Sequence, residues 1–422
     1  MRRKQRVGTG LSRRGATLVF VAIFAVALVA MAAFAIDLSR LYVGTNELQT
    51  GADAAALRGA LQLQYNPGES PVSATTAFST SNQALNQPIS LVGADVTPVF
   101  WDPTANPKAT ILNSWTSANA VQVAASRTAG LLFGRLLSAV SPTPQRKSIA
   151  WVANITRVTC PTPWGFPMIS LNEHLYPGGG GLNYTVTPTL FADLDSALKT
   201  TNGPQALTMI FWPPTHLDNG NKTPKQDGTD SAFYALAGSM SEYAKRVSSP
   251  ASCSNASLGI GQSKTFPGGG GGAVQQKTVN GVEGKSPADP PGLCATTNAP
   301  ANAADCWPLG TMNFTGQTPG VTVTVGWVGA RDAKGSVPVV TLGGFRVMCV
   351  YRQTPTGKAG TGDSCKWLDG AMNKSYFEGK GVQAPYDEGT IVGYPVTTYP
   401  GLGDGVVLGN APSLAQRLIL VR

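Results

Sequence analysis

The hydrophobic pattern of the chain opens on an uninterrupted run: residues 16–36 are 21 positions without a charge. As a helix this run spans about 31 Å, the thickness of a bilayer's hydrocarbon core. Its side chains, among them Ala16, Phe20, Phe24, Leu28, Phe34 and Ile36, fall on every side of that helix and leave no polar face for water. A membrane-spanning anchor is expected. No breaker follows it. Leu41, Leu48 and Ala55 recur every seven residues, Leu38, Leu41, Thr45 and Leu48 keep the helical period, and the first strong breakers are Asn66-Pro67-Gly68. One helix is therefore predicted over 16–63, about 72 Å long. Gly51, Ala55 and Gly59, flanked by Ala52, Ala56 and Ala60, place small side chains four apart, the spacing that lets a second backbone approach. The helix preference of an alanine-rich stretch accounts for the same residues equally well.

Beyond the helix the pattern shortens. Residues 64–97 are rich in Ser, Thr, Pro, Asn and Gly and read as an irregular lead-in. Strands are expected over 96–101, 118–125 and 148–158, with a helix over 129–140. Together these make 64–160 an α+β layer on which the long helix can lean. From 161 to 422 the apolar runs are mostly short and strand-like: 182–190, 206–212, 320–328, 337–341, 345–351, 405–408 and 416–421. Residues 232–247 are the exception and favour an amphipathic helix. Two glycine runs mark loops, and 248–305 is the best candidate for a flexible insertion. The fold class expected is α+β, a long transmembrane helix followed by a mainly β, disulfide-containing domain.

Charge changes the picture only at the N-terminus. The net charge is +9, but Arg2, Arg3, Lys4, Arg6, Arg13 and Arg14 supply six of those charges, leaving +3 for 408 residues. A basic leader over 1–15 is thus set before the apolar run, while Asp37 and Arg40 follow it. That asymmetry predicts a cytoplasmic N-terminus and an extracytoplasmic bulk. A basic nucleic-acid-binding face is not indicated. Charged residues are only 13% of the chain, while Gly (49) and Pro (31) are abundant. This composition disfavours both a disordered tail and a highly charged cytosolic enzyme. The rival to an anchor is a cleaved signal peptide, because Ala33-Phe34-Ala35 fits the A-x-A rule. However, the run exceeds an ordinary signal core and lacks a polar stretch before that site.

Six cysteines, Cys160, Cys253, Cys294, Cys306, Cys349 and Cys365, all lie beyond the anchor. An even number on the oxidising side implies disulfides, with 15 pairings open to six cysteines. Cys294–Cys306 and Cys349–Cys365 would close short loops, and Cys160–Cys253 remains by elimination. Zinc is disfavoured, since no CxxC occurs and His174 and His216 are the only histidines. Catalytic signatures are missing as well. Neither glycine run leads into Lys-Ser/Thr, as a P-loop requires, and no Gly-x-Ser-x-Gly elbow follows a strand. Asp193, Asp195, Asp227 and Asp230 are best read as loop carboxylates. No catalytic, cofactor-binding or metal residue is assigned.

The N-terminal blocks carry a resemblance. Gly15-Ala16-Thr17-Leu18-Val19, then Asp37-Leu38-Ser39-Arg40-Leu41-Tyr42, then Glu47-Leu48-Gln49 and Ala52-Asp53-Ala54-Ala55-Ala56-Leu57 resemble the N-terminal segment of TadE/TadG-like proteins of the bacterial Tad, or Flp pilus, system. The resemblance implies that Asp37, Arg40, Leu41, Tyr42, Leu48, Gln49, Asp53, Ala55 and Gly59 form a family motif that packs the helix. Pilin-like members processed by prepilin peptidase carry Glu five residues after the cleavage glycine. Here that position, counted from Gly15, is Phe20. The chain accordingly looks like the TadG side of the family, an anchored accessory protein. Some TadG proteins hold a von Willebrand A-like domain with an Asp-x-Ser-x-Ser metal site. Ala237-Gly238-Ser239-Met240 is similar to its end, but Ala235 and Ala237 offer no oxygen to a cation.

The expected partners are the lipid bilayer, pilus or envelope assembly proteins, and a second copy through the helix. The expected location is the bacterial inner membrane, in a single pass. The competing reading is a secreted or anchored extracytoplasmic hydrolase or binding protein whose site leaves no signature.

Overall fold

The computed structural model describes residues 12–134, 140–159, 161–178, 183–200, 203–212, 231–248, 257–265, 321–332, 336–350, 389–397, 407–411 and 413–421, with isolated positions 274 and 278. Helix α1 covers Ser12–Tyr65, 54 residues and about 81 Å without a break. It has two environments. Between Thr17 and Ile36 every side chain is exposed except half-buried Ala33, and this half is long and apolar enough to cross a membrane. From Asp37 onward a buried stripe appears: Asp37, Gly44, Leu48, Gly51, Ala52, Ala55, Ala56, Gly59, Ala60, Leu63 and Gln64. Their spacing follows the helical period, so one face of the outer half is covered along its whole length.

What covers that face is the chain itself. After α1 come helix α2 (Val72–Ser79), the strand pair β1 (Gln83–Ala84) and β2 (Gln87–Pro88), and strands β3 (Val96–Trp101), β4 (Ala109–Ile111), β5 (Ala120–Ser126) and β6 (Gln145–Thr159). Then follow β7 (Trp164–Pro167), α3 (Met168–Leu175), α4 (Leu190–Leu198), α5 (Gly203–Ala206), β8 (Met209–Trp212), β9 (Ser231–Ala232), β10 (Tyr234–Ala235) and α6 (Met240–Ser248). The last described strands are β11 (Ser257–Gly259), β12 (Ser263–Thr265), β13 (Val321–Val328), β14 (Ser336–Val350), β15 (Ile391–Val396), β16 (Val407–Gly409) and β17 (Gln416–Val421).

Strand β6 is the spine of the first sheet. Its N-terminal half pairs with β5, which continues through β3 to β4; β16 lies on that same edge of β6, and β17 and β11 take the opposite edge, all antiparallel. Alternate residues explain the packing. Val121, Val123 and Ala125 of β5 with Ala150 and Val152 of β6 face α1, where they meet Leu48, Ala52, Ala55, Ala56, Ala60 and Leu63. Ala120, Trp151 and Ala153 point to the opposite face, with Val99 and Trp101. The small α1 residues bring helix and sheet backbones close together.

The second sheet runs β10-β7-β13-β14-β15-β8-β9, with β12 on β14, and it is mainly antiparallel. Its centre is aromatic: Phe166 stacks on Phe211 at 4.1 Å, and Trp327 and Phe345 pack around the pair. Ile155 and Val158 of β6 join this core, tying the two sheets together. The last turn of α1 reaches it too, since Tyr65 lies 5.9 Å from Phe191 of α4 and beneath the Lys199 ammonium.

Several sequence expectations change. The lead-in 64–97 contains α2 and the β1–β2 pair, short elements with weak periodicity. Residues 183–189, expected as strand, are not one, and α4 begins at Leu190; the Thr189-x-x-x-Asp193 start is a helix signal. The strands expected over 337–341 and 345–351 run as one strand through Val350, β14, because Gly343 and Gly344 carry the backbone through without interrupting the ladder; residue 351 lies outside the described residues. The helix expected over 232–247 starts only at Met240, after two short strands. Residues 129–133 and 140 are not helical, Gly134 is in a 3-10 turn, and 135–139 lie outside the described residues, as does most of 248–305.

Candidate functional site

The feature that stands apart from ordinary packing is the row of specific contacts along the buried face of α1. Its lowest member is Asp37, one residue beyond the apolar run and only 6% exposed. The Leu132 N–H donates to Asp37 Oδ1 at 2.8 Å, and Phe133 and Gly134 donate to Oδ2 at 3.1 and 2.7 Å. Burial opposes ionisation here. The three N–H donors, with the Arg40 guanidinium nearby, outweigh it and hold the carboxyl below the usual carboxylate range. The β5–β6 connection is thereby pinned to the helix at the end of its apolar half.

One turn and more above, the β1–β2 pair is clipped to the helix twice. Its two-residue turn, Leu85-Asn86, has φ of 55° and 60°, a left-handed geometry that leucine adopts at a cost. Glu47 Oε2 accepts the Leu85 N–H at 2.7 Å, and the Leu85 side chain lies over Gly44, where a Cβ would come within 2.4 Å of it. Gly51 leaves room for Ile89, and Gly59 for Thr75 and Val121. Gln49 donates to Asp53 Oδ1 at 2.8 Å and reaches the Lys147 carbonyl of β6 at 3.4 Å.

Chemistry for catalysis does not assemble around these contacts. A groove of about 340 Å³ beside α1, lined by Val43, Asn46, Glu47, Thr50, Gly51, Asn82 and Gln83, holds one carboxylate, Glu47, already engaged by Leu85. Elsewhere the polar clusters serve the fold. Asp193 accepts from Tyr176 and from Thr189 at the start of α4, and Asp195 pairs with Lys199. Buried Arg246 spends its donors on the Pro161 and Leu236 carbonyls and on Glu242. Ser239 accepts the Glu242 N–H and Glu242 accepts the Gly238 N–H, so the Gly-Ser-Met stretch caps α6. Among the described residues no group of three His, Cys, Asp or Glu side chains could hold a metal ion.

The sequence-derived residues fall as follows. Phe20, Phe24, Leu28, Phe34 and Ile36 are exposed on the apolar half, and Ala16 belongs to its first turns. Asp37, Leu48, Ala55 and Gly59 lie on the covered face; Arg40, Leu41, Gln49 and Asp53 border it, and Tyr42 points away from it. Cys349 sits in β14, but the side chains of all six cysteines, like His216, Asp227 and Asp230, lie outside what is described. Sequence reasoning missed the partners of Asp37 and Glu47. A signal existed for the first: Asp37, Gly44, Leu48 and Ala55 share one helical face, and a carboxylate in phase with a buried stripe demands donors.

Residues 15–62 match the family model described as putative Flp pilus-assembly TadE/G-like. The match covers α1 from the start of its apolar half to within three residues of its end. No curated protein and no solved structure matches the chain.

Proposed function

We propose that this chain is a single-pass, membrane-anchored accessory protein of a bacterial Flp pilus assembly system, TadG-like in organisation, acting through protein contacts rather than catalysis. The observation that carries the reading is the coincidence of the family match with α1. The matched segment is one helix whose first half is uncovered and apolar and whose second half is the core helix of a β-rich domain. Such a helix transmits position. The domain cannot turn or rise relative to the bilayer without moving the anchor.

In this reading the basic leader 1–15 stays in the cytoplasm and 16–63 spans the membrane and emerges. The layer 64–160 and the region 161–422 lie in the periplasm, where the six cysteines form disulfides. The anchor is retained, because Phe20 stands where processed pilins carry Glu. A deletion strain tests the role. Assembled pili are lost and return on expression of the full chain, but not of a chain lacking residues 1–36. Normal piliation after deletion contradicts it.

A further inference from the structure

Where α1 leaves its apolar half, the molecule exposes apolar side chains that no described residue covers. Leu132 is 54% exposed and Phe133 38%, and both belong to the loop held by Asp37. Leu38, Tyr42 and Val43 of α1 are exposed at a neighbouring height. Loops on a soluble surface rarely gather such residues around a single helix turn.

Depth decides what meets them. A hydrocarbon core of ~30 Å is filled by residues 16–36, and the headgroup layers bring the bilayer to ~40–45 Å, leaving roughly 5–7 Å on each side. At helical rise that layer takes in residues 37 to about 41. The Leu132, Phe133 and Gly134 backbones are within hydrogen-bond distance of the Asp37 carboxylate, and so belong to the same layer. Composition agrees. The described loop residues 127–134, which carry Leu132 and Phe133, contain no acid. Apolar side chains with no carboxylate among them are what a lipid interface accepts. The one acid at hand, Asp37, turns its oxygens to three N–H donors.

We propose that the loop latched by Asp37 is a second membrane contact, with Leu132 and Phe133 inserted in the interfacial layer beside the anchor and Tyr42 at headgroup level. The contact rests on the reading of α1 as a membrane anchor. It converts a single helix, free to tilt, into a two-point attachment that sets the orientation of the domain on the bilayer.

The test uses the full chain in nanodiscs of phosphatidylcholine and phosphatidylglycerol. A trifluoromethyl-phenylalanine replaces Phe24, Phe133 or Phe78 in turn and is read by fluorine NMR. The broadening agents are a nitroxide near the glycerol end of the acyl chain and a water-soluble gadolinium chelate. The expected result is loss of the Phe24 and Phe133 signals with the lipid nitroxide, and loss of only the Phe78 signal, on α2, with the chelate. If Phe24 is lost to lipid while Phe133 is lost to the chelate, the loop is in water and the inference fails with the anchor intact. If Phe133 is protected from both agents, protein covers it, and the inference fails again. If Phe24 escapes the lipid nitroxide, the anchor itself is wrong and the loop contact falls with it.

Discussion

Asp37 and Gly134 stand 97 residues apart in the chain, and the Gly134 N–H donates to the Asp37 carboxylate at 2.7 Å. With Leu132 and Phe133 it completes a three-donor cradle at the point where α1 passes from exposed apolar surface to covered face. The family-matched helix is therefore bound to its own domain from the first charged residue after its apolar run. Asp37→Asn keeps the shape and removes the charge and half of the acceptor capacity. Amide exchange at Leu132, Phe133 and Gly134 in the full chain should rise roughly tenfold, because charge-assisted bonds are the strong ones. Unchanged exchange would mean that the loop is held by other contacts.

The same carboxylate sets a pH dependence. Its folded pKa lies below the ordinary 3.8, so the unfolded state takes up its proton first as the pH drops. The stabilisation is thus complete above 3.8 and is lost as pH falls through the lower folded value. Relative to the intrinsic amide rate at each pH, exchange at 132–134 should be flat across neutral and mildly acidic pH and rise only below the normal Asp range. Asp37→Asn should lack that rise. A local readout is needed because Asp102, held low by the Thr104 hydroxyl and N–H, titrates in the same direction.

The glycines of α1 should differ. A Cβ at Gly59 would sit 2.6 Å from Thr75 Oγ1 and 2.9 Å from Val121 Cγ1, between α2 and the sheet. Gly59→Val should destabilise by about 1–3 kcal/mol through overpacking. At Gly51 the close atom is only the tip of Ile89. Rotation of Ile89 and the ~1 kcal/mol helix preference of Ala over Gly should leave Gly51→Ala near neutral. Thermal unfolding of the two variants checks the order, and equal losses would contradict the packing described here.

Glu47 tests the hairpin. Glu47→Ala strands the Leu85 N–H in a turn that already carries two left-handed residues. A loss of about 1–3 kcal/mol is expected. Leu85→Gly relieves the φ cost but forfeits the packing over Gly44, so its effect should be smaller than that of Glu47→Ala. Chemical denaturation of both variants decides it.

Much of this organisation was legible in the chain. An uncharged run the length of a bilayer, continued in helical phase past Asp37, predicts α1 almost to its ends, and alternation predicts β3, β5, β6, β13 and β17. The rest depends on distant partners. Nothing near Asp37 in sequence names Leu132 as its donor. Nothing local to β6 says that β17, some 260 residues later, closes its edge. The α2 helix and the β1–β2 pair were hidden because short elements carry little periodicity. They exist because α1 offers Gly44, Gly51 and Gly59 for them to sit against.

The central claim is that one unbroken helix is both the membrane anchor and the core helix of the domain. Pulsed electron resonance between spin labels at Val26 and Arg58, introduced as non-natural residues so that the native cysteines stay untouched, measures it in nanodiscs. The 32 intervening steps of a continuous helix predict a single narrow distribution centred near about 48 Å. A broad distribution, or one centred well below that distance, would show a hinge between anchor and domain and contradict the account.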